Sequence, residues 1–563
     1  MRIKLIPLYL RTIAHLRVRQ VVYRGRNAIR KLAGGHPYLS AANFRCQGEW
    51  AGIESAAPFV ARPWIDSSAV SRNNFRFLNE SIDCGEPMEW NPPDASRLWK
   101  YNLYYFDYLH PASRLDPSPG IGLIQDWVEN NRPGAPDAWD PYPTSLRLVN
   151  WIKYLSQIKP LPPELGSPIR SAYLQACRLE QSIEYHLLGN HLFKNAKALV
   201  FCGIFFKGKD AKRWLSKGIS ILSNELDEQI LPDGGHFERS PMYHSMILED
   251  CLDLLNVCAN KPHPGLRKLS EILSERLPSM MRFLFGMTHP DGRIALFNDA
   301  AFGIEIPPQH LVEYYLKLVE KPIPSMTDAS WSFPESGYFI MAPRAGDRLI
   351  IDCGSIGPDY QPGHAHCDTL SLELSIKGHR VIVDSGCFQY EDGPIRQYNR
   401  GNSGHNTVSI DGQNQSEIWG AHRCARRAHP LHARLEHNGR DIIFEGAHNG
   451  YRRLDGSPVH CRRVHISGKT YTIRDIIEGR GIHRIESRLH VNPAFSLDLI
   501  SGGAVIKHLG ESLASISSMH GQAIEKTDGW YCPEFGIKEP CCVLRISLPR
   551  VSLPCDTGWV IQT

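Results

Sequence analysis

No aspartate or glutamate occurs before Glu49. Several other features are missing as well. None of the 15 cysteines falls in a CxxC spacing, the count is odd, and Cys541 and Cys542 are adjacent. That argues against a disulfide framework and favours reduced thiols. No apolar run reaches transmembrane length, so a membrane-spanning helix is not expected. The N-terminus lacks a clean secretory signal, because Pro7 and Arg11 interrupt the apolar run and no small-residue cleavage site follows. Large net charge is absent too: +4 over 563 residues excludes a dedicated nucleic-acid binder. No short repeat or low-complexity tract stands out. A chain of this length prefers two or more domains.

The acid-free stretch, residues 1–48, is a basic and amphipathic arm. Arg2, Lys4, Arg11, Arg17, Arg19, Arg24, Arg26, Arg30, Lys31 and Arg45 alternate with Leu5, Ile6, Leu8, Leu10, Ile13, Leu16, Val18, Val21 and Val22. Two readings stand: peripheral contact with an anionic membrane surface or a polyanion, or a terminal helix docked on the body by its apolar face. Residues 49–328 carry helical spacing. Ser145, Leu148, Val149, Ile152 and Leu155 mark one face; Leu248, Cys251, Leu252, Leu255 and Cys258 mark a second; Leu311, Val312, Tyr315, Leu316 and Val319 mark a third. From 329 to 563 the period becomes 2, in "RLIIDCG", "LSLELSIKGHRVIVDSG", "NTVSIDGQN" and "IESRLHV", with hairpin turns at Lys377-Gly378 and Asp411-Gly412. Helices followed by strands predict an α+β multidomain chain, an α-domain and then an antiparallel β-domain.

The segment "QPGHAHCDTLSLEL" (361–374) sets two imidazoles and a carboxylate before a strict alternation. Leu370, Leu372, Leu374 and Ile376 face one side and Ser371, Glu373 and Ser375 the other, which predicts a half-buried strand. Asp384 ends the next strand and His405 precedes another. His366, Asp384 and His405 suit Zn²⁺, although solvent-facing histidines would show the same spacing. In the helical half, "LLGNHLFKNAKAL" offers Asn190 and His191. "DGGHFERSPMYHSMILED" offers Glu238, Arg239, Tyr243 and His244, with a helix starting near Pro241. Each residue alone fits a cap or a core position equally well.

Taken together, Asn-His, "ERSPMYH", "GHAHCDTLSLEL", "VIVDSG" and "HNTV" resemble the heparinase II/III-type polysaccharide lyases over roughly residues 95–420. "YNLYYFDYL" and "WDPYPTSLRLVNW" add to the likeness. The resemblance implies an incomplete (α/α) toroid followed by an antiparallel β-sandwich. It also implies β-elimination at a uronic acid, in which the carboxylate is neutralised, the C5 proton removed and the C4 oxygen protonated. In this likeness Asn190 meets the uronate carboxylate, His191 assists proton removal for one C5 epimer, Tyr243 is acid, base or both, and His364 is the interface histidine. His366, Asp384 and His405 are implied ligands of a structural zinc; the resemblance leaves Asp368 unassigned, and a hydrogen bond from it to one of these histidines is chemically reasonable. Arg239 is implied against a substrate acid group and Glu238 beside the carboxylate. Tyr390 and Tyr398 compete for a substrate-contacting tyrosine, with Tyr398 the working choice. The cluster His422, Arg423, Arg426, Arg427 and His429 suits an anionic polysaccharide or a solvated turn. Heparin or heparan-like chains, alginate and a bacterial exopolysaccharide remain open as substrates. So do the cell envelope and the cytoplasm as locations. A glycoside hydrolase using Glu238 and Asp233 and a non-catalytic glycan-binding or polysaccharide-assembly protein are the alternatives.

Overall fold

The computed structural model describes residues 6–32, 50–111, 118–158, 165–258, 261–323 and 328–563. Of the sequence-read arm, Arg2, Lys4, Leu5 and Arg45 lie outside these, as does the boundary at 48–49. Four of the main helices begin on proline: Pro141–Leu155, Pro241–Cys258, Pro264–Gly286 and Pro308–Leu318. Proline at the first helical position loses no intrahelical bond and is already set at a helical φ. Helix Pro241–Cys258 is buried at nearly every position, so it runs through the middle of the helical half rather than along its surface. Helix Pro308–Leu318 departs from the expected face: Leu311, Tyr314 and Tyr315 are buried, whereas Leu316 is 58% exposed.

The change from helix to strand falls between Leu318 and Ser330. Beyond it, among the described residues, lie two large antiparallel sheets and a two-stranded pair, Ile418–Trp419 with Arg423–Cys424. The first has nine strands; Leu372–Ile376 and His379–Ile382 lie in its middle, and Val408–Ile410 pairs onto Ile482–Val491. The second has eight. Leu349, Ile351, Leu372 and Leu374 of the first sheet share one apolar core with Phe444, Val464, Ile473 and Trp559 of the second. Lys377-Gly378 and Asp411-Gly412 all take positive φ, as primed hairpin turns require.

The strand read as half-buried is buried on both faces. Its polar side meets the helical half instead of water. The Glu373 carboxylate accepts from the amides of Asp384 and Leu296, and bonds His289 at 2.9 Å. Alternation reports two chemically different faces, and here the polar one is a domain interface.

Every described cysteine is a free thiol. Among the described residues no helix is long and apolar enough to cross a membrane. Buried Glu305 has its carboxyl pushed up to about 8 by desolvation. The folded state therefore holds a proton that the unfolded state releases, and stability falls as pH rises from about 4.5 to about 8. Glu305→Gln is expected to remove that slope and raise the melting temperature at pH 8 more than at pH 5, as read by thermal denaturation.

The arm forms α1 (Ile6–Ile13) and α2 (Val18–Leu32). It docks on the body by its polar and aromatic side, not by its apolar face. Arg11 bonds Glu417 at 3.2 Å, Arg17 pairs with Glu228, and Tyr9 packs on Trp419. Gln20, only 1% exposed, donates to the carbonyl oxygens of Tyr360 and Leu187.

Candidate active site

The arm, the helical half and loops of the β-half together line a cavity of about 870 Å³. Asn190, His191, Tyr142 and Tyr243 line it from the helices, and His364, Tyr390 and His422 from the β-half. Four of the residues read from the sequence thus share one cavity.

Asn190 and His191 stand in the first turn of helix Gly189–Phe205. Leu188 and Gly189 both have positive φ. A Cβ on Gly189 would lie 2.1 Å from the Gln361 side chain and 2.5 Å from Glu238, so only glycine fits there. That close approach lets the Glu238 carboxylate accept from the Asn190 amide nitrogen of the backbone at 3.1 Å and from Nδ2 at 3.0 Å. Glu238 is buried. It holds Asn190 in place and does not itself line the cavity. His191 Nδ1 bonds Glu184 at 3.1 Å, and its ring packs at a tilt against Tyr142, centroids 4.4 Å apart. Burial lowers the His191 pKa, but the Glu184 carboxylate outweighs that and raises it above the ordinary histidine value.

Tyr243 and His364 face each other with ring centroids 4.0 Å apart. The Tyr243 hydroxyl lies 3.0 Å from that of Tyr390. Burial drives the Tyr243 and Tyr390 phenols well above their usual pKa, so both are protonated near neutrality. His364 Nδ1 bonds Asp299 at 3.0 Å. Burial opposes charge on Asp299, but the paired Arg396 guanidinium holds its carboxyl well below the usual range. The Asp299 carboxylate accepts from Nδ1, and His364 Nε2 points the other way, 3.8 Å from Glu238 Oε2.

Sequence reading missed Asp299. The same carboxylate bonds His366 Nε2 at 2.8 Å, so one buried acid ties the cavity histidine to its neighbour two residues on. Asn298, at positive φ, adds to this hub: its side chain accepts from the His366 amide, and its own amide donates to Asp368. "FNDA" reads as ordinary loop punctuation, and no period marks it. Arg396, Glu184 and Tyr142 were missed for the same reason.

His366, Asp368 and His405 bring one ligand atom each to within 4.8 Å of one another, and all three are buried. His366 Nδ1 and His405 Nε2 are buried without a protein partner, which is the chemistry of an imidazole pair set to bind a cation. Asp384, the third ligand in the sequence reading, sits behind this cluster. Its Oδ2 bonds His405 Nδ1 at 2.7 Å and orients that ring.

Other expected residues fall elsewhere. Tyr398 is not in the cavity wall; its hydroxyl accepts from the Trp530 amide and bonds His490 at 3.1 Å. Tyr390 occupies the wall instead. Arg239 donates to the Ser336 carbonyl at 2.8 Å, inside the contact between the halves. Asp233 accepts from Ser336 and Gly235, so it forms no carboxylate pair with Glu238 across the cavity. His244 Nε2 donates to the Met280 carbonyl at 3.0 Å, buried in the helix core. In the basic cluster, Arg426 pairs with Glu417 and Arg427 with Asp359, while His422 and Arg423 line the cavity.

Comparison with known proteins follows this division of the chain. A heparinase II/III N-terminus model matches residues 123–317, and a heparinase II/III-like C-terminal model matches residues 325–560. A heparin-sulfate lyase of Bacteroides stercoris is 26% identical over 348 residues, covering 57% of this chain and 51% of that protein. The FtsZ-localized protein C of Caulobacter vibrioides is 24% identical over 308 residues, 54% of this chain and 50% of that one. The chain thus spans about half the length of these curated relatives. The crystal structure of heparinase III shares the fold: TM-score 0.68 at 19% identity, over 96% of this chain and 89% of that one.

Proposed function

From the premise that this chain belongs to the heparinase II/III family, we propose that it is a polysaccharide lyase acting by β-elimination on a uronic-acid glycan of the heparin type. The observation that carries this reading is the facing pair of Tyr243 and His364, 4.0 Å apart, in a cavity shared with Asn190 and His191. On this reading the helical half is the incomplete (α/α) toroid and the two sheets are the β-sandwich.

A uronate carboxylate hydrogen-bonded to the Asn190 side chain has its charge partly neutralised, which acidifies its C5 proton. The Asn190 amide then stabilises the enolate-like charge that develops. His364 Nε2, with Nδ1 tied to Asp299, is the base for one C5 epimer. His191, with Nδ1 tied to Glu184, serves the other. Tyr243 enters protonated and donates to the leaving C4 oxygen, leaving a C4–C5 double bond. Tyr390 stabilises the Tyr243 phenolate by donating to it.

The unpartnered atoms of His366 and His405, with Asp368, fit a zinc ion, and Asp384 orients His405. When bound, the ion supplies a fixed cross-link that holds the loop bearing His364, and it takes no part in the elimination. Metal analysis is expected to find near-stoichiometric zinc. His366→Ala is expected to lose it and to melt at lower temperature, because ligand binding to the native state alone is stabilising. Folded protein with no metal and an unchanged His366→Ala melting curve would rule the site out.

A purely assembly role, prompted by the likeness to FtsZ-localized protein C, would not require two carboxylate-tied imidazoles around a tyrosine. The test is incubation with heparan sulfate, heparin and alginate, followed at the ultraviolet band of unsaturated uronates. Absorbance rising fastest on heparan sulfate or heparin supports the proposal. A flat trace on all three sinks it.

A further inference from the structure

The arm is amphipathic in the reverse sense to a docked surface helix. In α2, Val18, Val21, Val22, Ile29 and Leu32 follow the spacing i, i+3, i+4, i+11 and i+14, which gathers them within an arc of about 100°. All are exposed, Val22 by 58% and Ile29 by 68%. The opposite side of the same helix holds Gln20 and Arg24, which bond the body. The pattern repeats in α1: Ile6, Leu10 and Ile13 are exposed, Leu10 by 64%, while Arg11 and Thr12 bond Glu417 and the Cys424 carbonyl. A contiguous apolar face of this size left in water indicates a surface that something else covers.

The charge around that face narrows the occupant. Neither helix contains an acidic residue. Arg19 and Arg26 border one edge of the apolar stripe of α2 and are exposed, Arg19 with its guanidinium 3.9 Å over the Tyr185 ring of the body. Basic side chains beside an apolar stripe lying along a surface match an anionic bilayer, with the stripe in the acyl boundary and the arginines at the headgroups. We propose that α1 and α2 form a docking surface for an anionic lipid bilayer. The polar side of the arm keeps its bonds to the body during docking. Because Tyr9, Thr12 and Gln20 of that side line the cavity, docking sets the mouth of the cavity against the membrane plane. This inference stands independently of the lyase reading, since it uses none of the cavity chemistry.

The test is co-sedimentation of the full chain with vesicles of phosphatidylcholine, with and without phosphatidylglycerol. The chain is expected to sediment with the anionic vesicles at low salt and to be released as salt rises. Val22→Asp/Ile29→Asp is expected to lower the bound fraction at least ~10-fold with an unchanged melting curve, both side chains being exposed. Leu10→Asp on α1 serves as a second, independent variant and is expected to weaken binding in the same direction. Failure of the parent chain to sediment with anionic vesicles overturns the proposal. So does equal binding by the variants, or a parent dimer that the same substitutions convert to monomer, which would show a second copy on this face.

Discussion

Tyr243→Phe is expected to lower turnover by ~10²–10⁴-fold, the range typical of positioned proton transfer, while zinc content and melting temperature stay close to the parent. The change removes one hydroxyl from a wall position and keeps the ring that packs on His364. Among the described residues that hydroxyl bonds the Tyr390 hydroxyl at 3.0 Å, so the structural loss is about 1 kcal/mol. Burial raises the pKa of both phenols, and in the proposed mechanism Tyr243 is the donor to the leaving oxygen. Tyr390→Phe, which keeps the Tyr243 proton and removes only its neighbour, is expected to lose much less. Steady-state rates of the two variants on one polymer decide this. Near-normal turnover by Tyr243→Phe would remove tyrosine from the mechanism.

Asp299→Asn carries the second large effect. Its carboxylate accepts from His364 Nδ1 and His366 Nε2 and forms two bonds with Arg396. An amide of the same shape no longer selects the Nδ1–H tautomer, so His364 Nε2 spends part of its time protonated and cannot act as base. Asp299 is thus a positioning residue. The expected result is a fall in kcat of roughly 10²-fold with little change in KM, together with a shift in the pH dependence of kcat. Arg396 also loses its buried counter-charge, which costs about 3–5 kcal/mol, so the variant is assayed well below its own melting temperature. A lower melting temperature with parental kcat and pH profile would show Asp299 to be structural only.

The helix-to-strand switch was legible because the two periods, 3.6 and 2, are set by backbone geometry and need no tertiary information. Pro241 marked its helix start for an equally local reason. The strand at Leu372–Ile376 shows where that reasoning stops. Its alternation was correct, yet its polar residues are buried: Glu373 and Ser375 bond His289 of the helical half, and Ser371 accepts from the Asn406 amide. Within the site, Asn190, His191, Tyr243 and His364 were legible through motifs. Asp299 was not, because its role comes from three partners far apart in sequence. Tyr390 and Tyr398 lie eight residues apart, and only the depth of each in the fold separates a cavity wall from the Trp530–His490 contact. The arm was read as amphipathic, but periodicity cannot say which face a helix buries. Gln20 and Arg11 find specific partners on the body, and that reverses the usual outcome.

The most direct test of the central claim is cleavage of a heparan sulfate oligosaccharide in water enriched in heavy oxygen, followed by mass spectrometry of the products. β-Elimination breaks the C4–oxygen bond without adding water. The account therefore predicts one unsaturated product, lighter than its hydrolysis counterpart by one water, and no heavy oxygen in either product. Incorporation of one heavy oxygen per cleavage, with both products saturated, would mean hydrolysis and contradict it.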